Sequence, residues 1–310
     1  MNRRYSRLVC GSVVSAGPPN RCWPIQSPQA ATDTLPVLLQ RIATALVLIP
    51  LVAAAVLYLP TNWLAVLLAF LVVLGGLEWA RLAGLGTGGT KVLYLASIAA
   101  AMVGMLLLYR FSTGWVFPVV AVVAAGWIAV GALLIWHPSP MRLVAGQKVR
   151  LLTGMLVLVP AWGSLLAVHE LFRDGPFLVL FVMVLIWIAD SCAYFAGRRW
   201  GHTKLAPSIS PGKTREGVYG ALAGAVICGI LLYLVRPETG PLIGVVAFAV
   251  GIALISVVGD LFESLIKRLA GIKDSGSLLP GHGGVMDRID SLTAALPVFL
   301  FGLLLLEKVN

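Results

Sequence analysis

A chain of 310 residues is long enough for two soluble domains, but its 59% hydrophobic and 12% charged residues, with a mean hydropathy of +0.94, exclude an ordinary globular protein and indicate a polytopic membrane protein. A net charge of +10 would suit a nucleic-acid partner if it were gathered in one patch. The basic residues are instead scattered between apolar segments and read as topology signals, so no nucleic acid is expected. Cys10, Cys22, Cys192 and Cys228 lack CxxC spacing, so neither a disulfide framework nor a zinc site is indicated.

Residues 1–35 contain Arg3, Arg4, Arg7 and Arg21 among Pro18, Pro19, Pro24 and Pro28. The apolar run at 8–16 is short for a secretory signal, and the stretch reads as a disordered, basic cytoplasmic tail. Residues 36–310 are expected to form a single transmembrane catalytic domain. Apolar runs able to cross roughly 30 Å of hydrocarbon, about 20 helical residues each, recur through it. They predict an all-α, polytopic fold of about nine transmembrane helices at 41–59, 62–80, 92–109, 115–136, 151–171, 177–197, 217–235, 241–262 and 290–307. Gly75-Gly76 and the stretch at 84–90 are where a break or a shifted end would fall.

On this alternation Arg110, Arg173, Arg236 and Lys308 fall on one side, and every other one of the 23 Lys and Arg falls on the other. The positive-inside bias then puts the amino terminus and both long polar loops in the cytoplasm, with the carboxyl terminus outside. Of the 13 acidic residues, Asp190, Glu216, Asp260, Glu263, Asp274, Asp287 and Asp290 sit on or beside cytoplasmic span ends late in the chain. Residues 36–175 therefore read as scaffold helices, and 176–310 as catalytic helices and loops.

The densest charge lies in residues 260–290. On a continuing helix Asp260, Glu263, Ser264, Lys267 and Arg268 share one face. A carboxylate at that depth costs a few kcal/mol unless paired; a structural salt bridge from Asp260 or Glu263 to Lys267 is the plain explanation. Asp287 and Asp290, three apart at the start of the last span, also complement a helix dipole. Dipole complementation does not account for a third carboxylate entering from the preceding span with a rigid turn between. Three hard oxygen donors at a water-accessible mouth suit Mg²⁺.

Between these helices Pro280-Gly281-His282-Gly283-Gly284 offers backbone N–H groups that a phosphate can approach, although such a run is more often only a turn. Lys267, Arg268, Lys273 and Arg288 supply charge suited to a polyphosphate and a lipid phosphate. In the preceding polar loop, Gly212-Lys213-Thr214 has the look of a Walker A tail, but Pro207 stands where the first glycine is required and no strand is predicted before it. A P-loop is rejected. Ser210, Lys213, Thr214 and the next helix start can still form an anion pocket, with Asp190 as a further membrane-edge carboxylate.

The run Ser264-x-Ile266-Lys267-Arg268-x4-Lys273-Asp274-x-Gly276-x2-Leu279-Pro280-x-His282-Gly283-Gly284-Val285-x-Asp287-Arg288-Ile289-Asp290 resembles the signature of the phosphatidate cytidylyltransferases (CDP-diacylglycerol synthases). Residues 190–197 and 210–217 are similar to that family's other cytoplasmic motifs, and nine spans is similar to its architecture. Gly212 stands where the family more often has Lys, a departure that bears on one basic contact and not on the class.

The resemblance implies transfer of a cytidylyl group from CTP to phosphatidate, giving CDP-diacylglycerol and pyrophosphate, by in-line attack at the inner membrane in the first committed step of phospholipid synthesis. It implies Mg²⁺ on Asp260, Asp287 and Asp290, with a second, monovalent cation such as K⁺ near Ser264, and a homodimer. Lys267 and Lys273 would act at the reacting phosphates. Arg268, Arg288, His282, Gly283 and Gly284 would hold the substrates, and Ser210, Lys213 and Asp190 would be accessory. The rival class is a secondary transporter. It fits less well, because transporters repeat polar interruptions at mid-membrane in both halves, whereas these charges lie at one face of the second half.

Overall fold

In the computed structural model the described residues are 35–136, 143–276 and 283–309. The tail at 1–34 and His282 lie outside them. The compact unit that carries the site runs from Leu48 to Asn310.

The elements are α1 (Leu35–Tyr58), α2 (Thr61–Leu82), α3 (Gly88–Phe111), α4 (Val116–Trp136, entered through a 3-10 turn at Thr113–Trp115), α5 (Gln147–Leu171), α6 (Gly175–Trp200), β1 (Lys204–Ala206), β2 (Ser210–Thr214), α7 (Arg215–Val235), α8 (Leu242–Leu269) and α9 (Met286–Val309). From α2 onward, eight helices are long and apolar enough to cross a membrane; the apolar part of α1 that can be described is Leu46–Tyr58. The fold is that of a polytopic, nearly all-α membrane protein. Helices dominate because in hydrocarbon every backbone N–H and C=O must be bonded within its own segment. Large side chains such as Phe70, Val122 and Leu231 are exposed on the helix surfaces, as expected where the solvent is lipid.

The structure sharpens the sequence reading at two points and departs from it at a third. Gly75-Gly76 does not break α2: both glycines are buried in a continuous helix, and the true break comes at Gly84, whose φ of +80° ends the helix in the left-handed region. Helix α8 continues past the apolar span at 241–262 to Leu269, as the shared face of Asp260, Glu263, Ser264, Lys267 and Arg268 requires, since the hydrogen-bond ladder is indifferent to where the side chains turn polar. The loop after α6, read as strandless, holds a small antiparallel hairpin in which Lys204 pairs with Thr214 and Ala206 with Ser210. Thr214 then caps α7, its Oγ1 accepting from the Gly217 amide at 3.1 Å.

Packing runs in series from α6 to α7, α8 and α9, with α5 lying against α2, α6 and α9. Helices α8 and α9 approach closely at Gly259, where an added Cβ would stand 2.7 Å from the Asp290 carbonyl oxygen. Only glycine fits there, and the next residue is Asp260. At the same end of the bundle, α2 is tied to the start of α5. Trp79 Nε1 donates to the Arg150 carbonyl at 2.6 Å, and Arg150 Nη1 donates to the Leu82 carbonyl at 3.1 Å.

Candidate active site

The last turns of α6 and α8, the first turn of α9 and strand β2 surround a cavity of about 460 Å³. Asp190, Lys213, Asp260, Asp287 and Asp290 line it, with Tyr194 and Arg198 at its side. Five residues singled out from sequence are thus brought together from four elements. The 3.6-residue period places Asp260, Glu263, Ser264 and Lys267 along one side of α8.

Each carboxylate has its own surroundings. Asp260 forms an ion pair with Lys213, and Ser264 Oγ donates to it at 3.5 Å. Of the two partners expected for Lys267, Glu263 pairs with it and Asp260 does not. Lys267 lies between Asp287, at 2.8 Å, and Glu263, at 3.5 Å. Asp287 is the most heavily bonded. Besides Lys267 it accepts from the Ser275 amide at 3.0 Å and the Gly284 amide at 2.8 Å, and the Ser275 hydroxyl, shared with Glu78, lies 3.0 Å from it. Glu263 is 2% exposed, and neither of its oxygens finds a hydrogen-bond donor. Asp290 faces the cavity beside Asp260 and Glu263, and accepts from the Ser291 amide at 2.7 Å.

Other expected residues sit apart from the cavity lining. Lys273 and Arg288 are exposed at the rim of this end. Arg268 directs its guanidinium to two carbonyls, Ile209 at 3.1 Å through Nε and Ile272 at 3.3 Å through Nη1, which fastens the hairpin to the end of α8. Ser210 is half-buried in β2. Gly283 takes a φ of +79°, a conformation open to glycine and costly for other residues, and Gly284 supplies one of the amides on Asp287.

Sequence reasoning missed Glu78. It belongs to α2, in the half assigned to scaffold, yet it is fully buried and accepts from the Ser275 hydroxyl at 3.0 Å, the Val285 amide at 3.0 Å and the Met286 amide at 2.8 Å. The signal was available: Glu78 is the sole ionisable residue within the predicted span 62–80, and such a residue is a functional candidate by default.

The donor set can be weighed for a hard divalent cation. Among the described residues no three His, Cys, Asp or Glu side chains stand as a ready metal cage, because Lys213 and Lys267 are seated among the carboxylates. In kind the set fits: it is all oxygen, it is gathered at one mouth, and it includes Glu263, which has the Lys267 ion pair but no hydrogen bond.

Residues 39–306 match the family model described as the cytidylyltransferase family. A phosphatidate cytidylyltransferase of Pseudomonas aeruginosa is 42% identical over 267 residues, covering 85% of this chain and 96% of that protein. One from Haemophilus influenzae is 34% identical over 292 residues, covering 86% and 98%. One from Thermotoga maritima is 40% identical over 148 residues, covering 45% of this chain and 54% of that protein.

Proposed function

The chain belongs to the cytidylyltransferase family, whose members are nucleotidyltransferases, and from that premise we propose that it is a phosphatidate cytidylyltransferase acting at the cytoplasmic face of the inner membrane. The observation that carries this reading is the convergence of Asp190, Asp260, Asp287 and Asp290 with Lys213 around one cavity at one end of the bundle. The relatives' names supply the substrates, CTP and phosphatidate. In the reaction a phosphate oxygen of phosphatidate attacks the α-phosphorus of CTP. A new P–O bond forms, the bond between the α-phosphorus and its bridging oxygen breaks, and pyrophosphate leaves with that electron pair. The product, CDP-diacylglycerol, begins the committed path to phospholipids.

Phosphoryl chemistry of this kind needs positioning and charge neutralisation more than a protein nucleophile. Asp260, Asp287 and Asp290 would hold Mg²⁺, with a second, monovalent cation such as K⁺ beside Ser264 and Glu263. Mg²⁺, when bound, neutralises the triphosphate and stabilises the leaving oxygen. Lys213 and Lys267 hold the carboxylates in the ligand-free state and turn toward phosphate oxygens when substrate enters. Their present pairing with Asp260 and Asp287 keeps the Lys213 ammonium in the cavity and that of Lys267 against a carboxylate that lines it. Arg268 keeps the hairpin, and with it Lys213, against α8. Lys273 and Arg288 at the rim complete the positive field for the two anionic substrates, and Ser210 and His282 would add hydrogen bonds to their phosphates. The Lys and Arg asymmetry supports an amino terminus and an active site on the cytoplasmic side and a carboxyl terminus outside. Phosphatidate then enters sideways from the inner leaflet, and the assembly is a homodimer.

Purified protein in lipid nanodiscs, given CTP labelled at the α-phosphorus, phosphatidate and Mg²⁺, is expected to yield lipid-linked CMP and pyrophosphate. Transfer to a different lipid acceptor, or no transfer, would refute the proposal.

A further inference from the structure

Glu78 is 0% exposed, and burying a carboxylate that deeply is costly unless donors answer it. Its three donors come from one neighbourhood, the Ser275 hydroxyl and the amides of Val285 and Met286. These groups lie on either side of residues 277–282 in the chain, so Glu78 ties the segment that follows α8 to the start of α9. Ser275 is shared between two carboxylates. Its hydroxyl lies 3.0 Å from Glu78 Oε2 and 3.0 Å from Asp287 Oδ2, and its amide also donates to Asp287.

Two glycines make room for this arrangement. A Cβ at Gly276 would overlap Glu78 Oε1, and a Cβ at Gly284 would stand 2.6 Å from Glu78 Oε2. The helix that bears Glu78 is itself fixed, because the next residue, Trp79, and then Leu82 are bonded to Arg150 of α5. A side chain locked on a rigid element, contacting the supports of a reacting group and not the cavity itself, has the geometry of a second tier that sets the first.

We propose that Glu78 is a positioning residue: from the scaffold half of the bundle it fixes Ser275 and the first turn of α9, and through them the orientation of Asp287. Both of its oxygens face donors, so an amide in its place would turn an NH₂ group toward an N–H or O–H whichever way it was flipped. The isosteric change E78Q is therefore disruptive at this one spot.

The test uses the full-length protein. In E78Q, kcat is expected to fall about a hundredfold, the scale of an ångström-sized misplacement in an active site, while KM for CTP and phosphatidate stays within about twofold because no substrate contact is removed. Hydrogen–deuterium exchange should quicken about tenfold in peptides covering 270–276 and 283–290, as expected for losing a hydrogen bond or two, with α6 and α7 unchanged. Wild-type exchange at those peptides, or a uniform rise in all helices, overturns the proposal. If E78Q does not accumulate, S275A carries the test: it removes only the shared hydroxyl and should give smaller losses of the same pattern, and wild-type behaviour in both readouts overturns the idea. The kinetic arm rests on the cytidylyltransferase reading. A wild-type protein without transferase activity refutes that reading, whereas the exchange arm judges Glu78 alone.

Discussion

The two halves of the bundle use buried polar groups differently. In α2 to α5 they bond mostly to backbone: Trp79 to the Arg150 carbonyl, Tyr94 to the Leu151 carbonyl, Trp162 to the Ala65 carbonyl and His169 to the Val56 carbonyl. Such bonds staple helices together and leave little charge to move. In α6 to α9 the side chains bond to one another, Lys213 with Asp260 and Lys267 with Asp287 and Glu263. Ion pairs between side chains can be exchanged for pairs with a ligand, at the cost of stability when nothing replaces them. Rigidity is concentrated in one half and exchangeable charge in the other, with Glu78 as the link between them.

Substitutions that tell the halves apart should differ in kind as well as size. The largest effect is expected for D287N, which keeps the shape of the side chain and removes the charge that Lys267 and three other donor groups surround. Turnover should fall by about 10³-fold or more, the upper range for removing an electrostatic element of an active site, with membrane insertion and purification as in the wild type. Activity retained at saturating Mg²⁺ would refute a metal role for Asp287. Next comes K213M, which leaves Asp260 without its partner. The loss of one charge-assisted contact to a phosphate should raise the KM of one substrate about tenfold, read in the same transferase assay. A KM unchanged for both substrates would remove Lys213 from the binding site. The E78Q variant tests the link itself, since its kinetic loss should appear without a change in KM. The smallest effect is expected for Y94F in the stapling half, where one buried hydroxyl bond to the Leu151 carbonyl is lost. Stability should fall by about 1 kcal/mol, seen as a lower melting temperature in detergent, with kcat within about twofold of the wild type. A large kinetic defect there would break the division between the halves.

Much of this organisation was legible in the sequence because it is written in local periodicity. Eight spans follow from runs of apolar residues, and the pairing of Glu263 with Lys267 follows from a helical offset of four. Asp287 and Asp290 reach the same cavity as Asp260 because the signature from 264 to 290 joins two helix ends. What stayed hidden depends on residues far apart in the chain. Asp260 takes its partner from β2 and not from its own helix, and nothing within α8 records that. The strand Lys204–Ala206 is three residues long, too short for alternation to announce it. Arg268 reads as a phosphate ligand until the Ile209 carbonyl is found in its way. Glu78 is visible as a lone charge, but its donors lie some two hundred positions later.

That separation has a consequence for how the protein is made. A chain emerging from the ribosome delivers Glu78 with its second helix, and the amides that satisfy it only with its ninth. Until the last helix is inserted, the carboxylate must be held by water or a chaperone, since hydrocarbon offers it no donor. Arrival of α9 therefore completes two things at once, the fold of the first half and the machinery of the second.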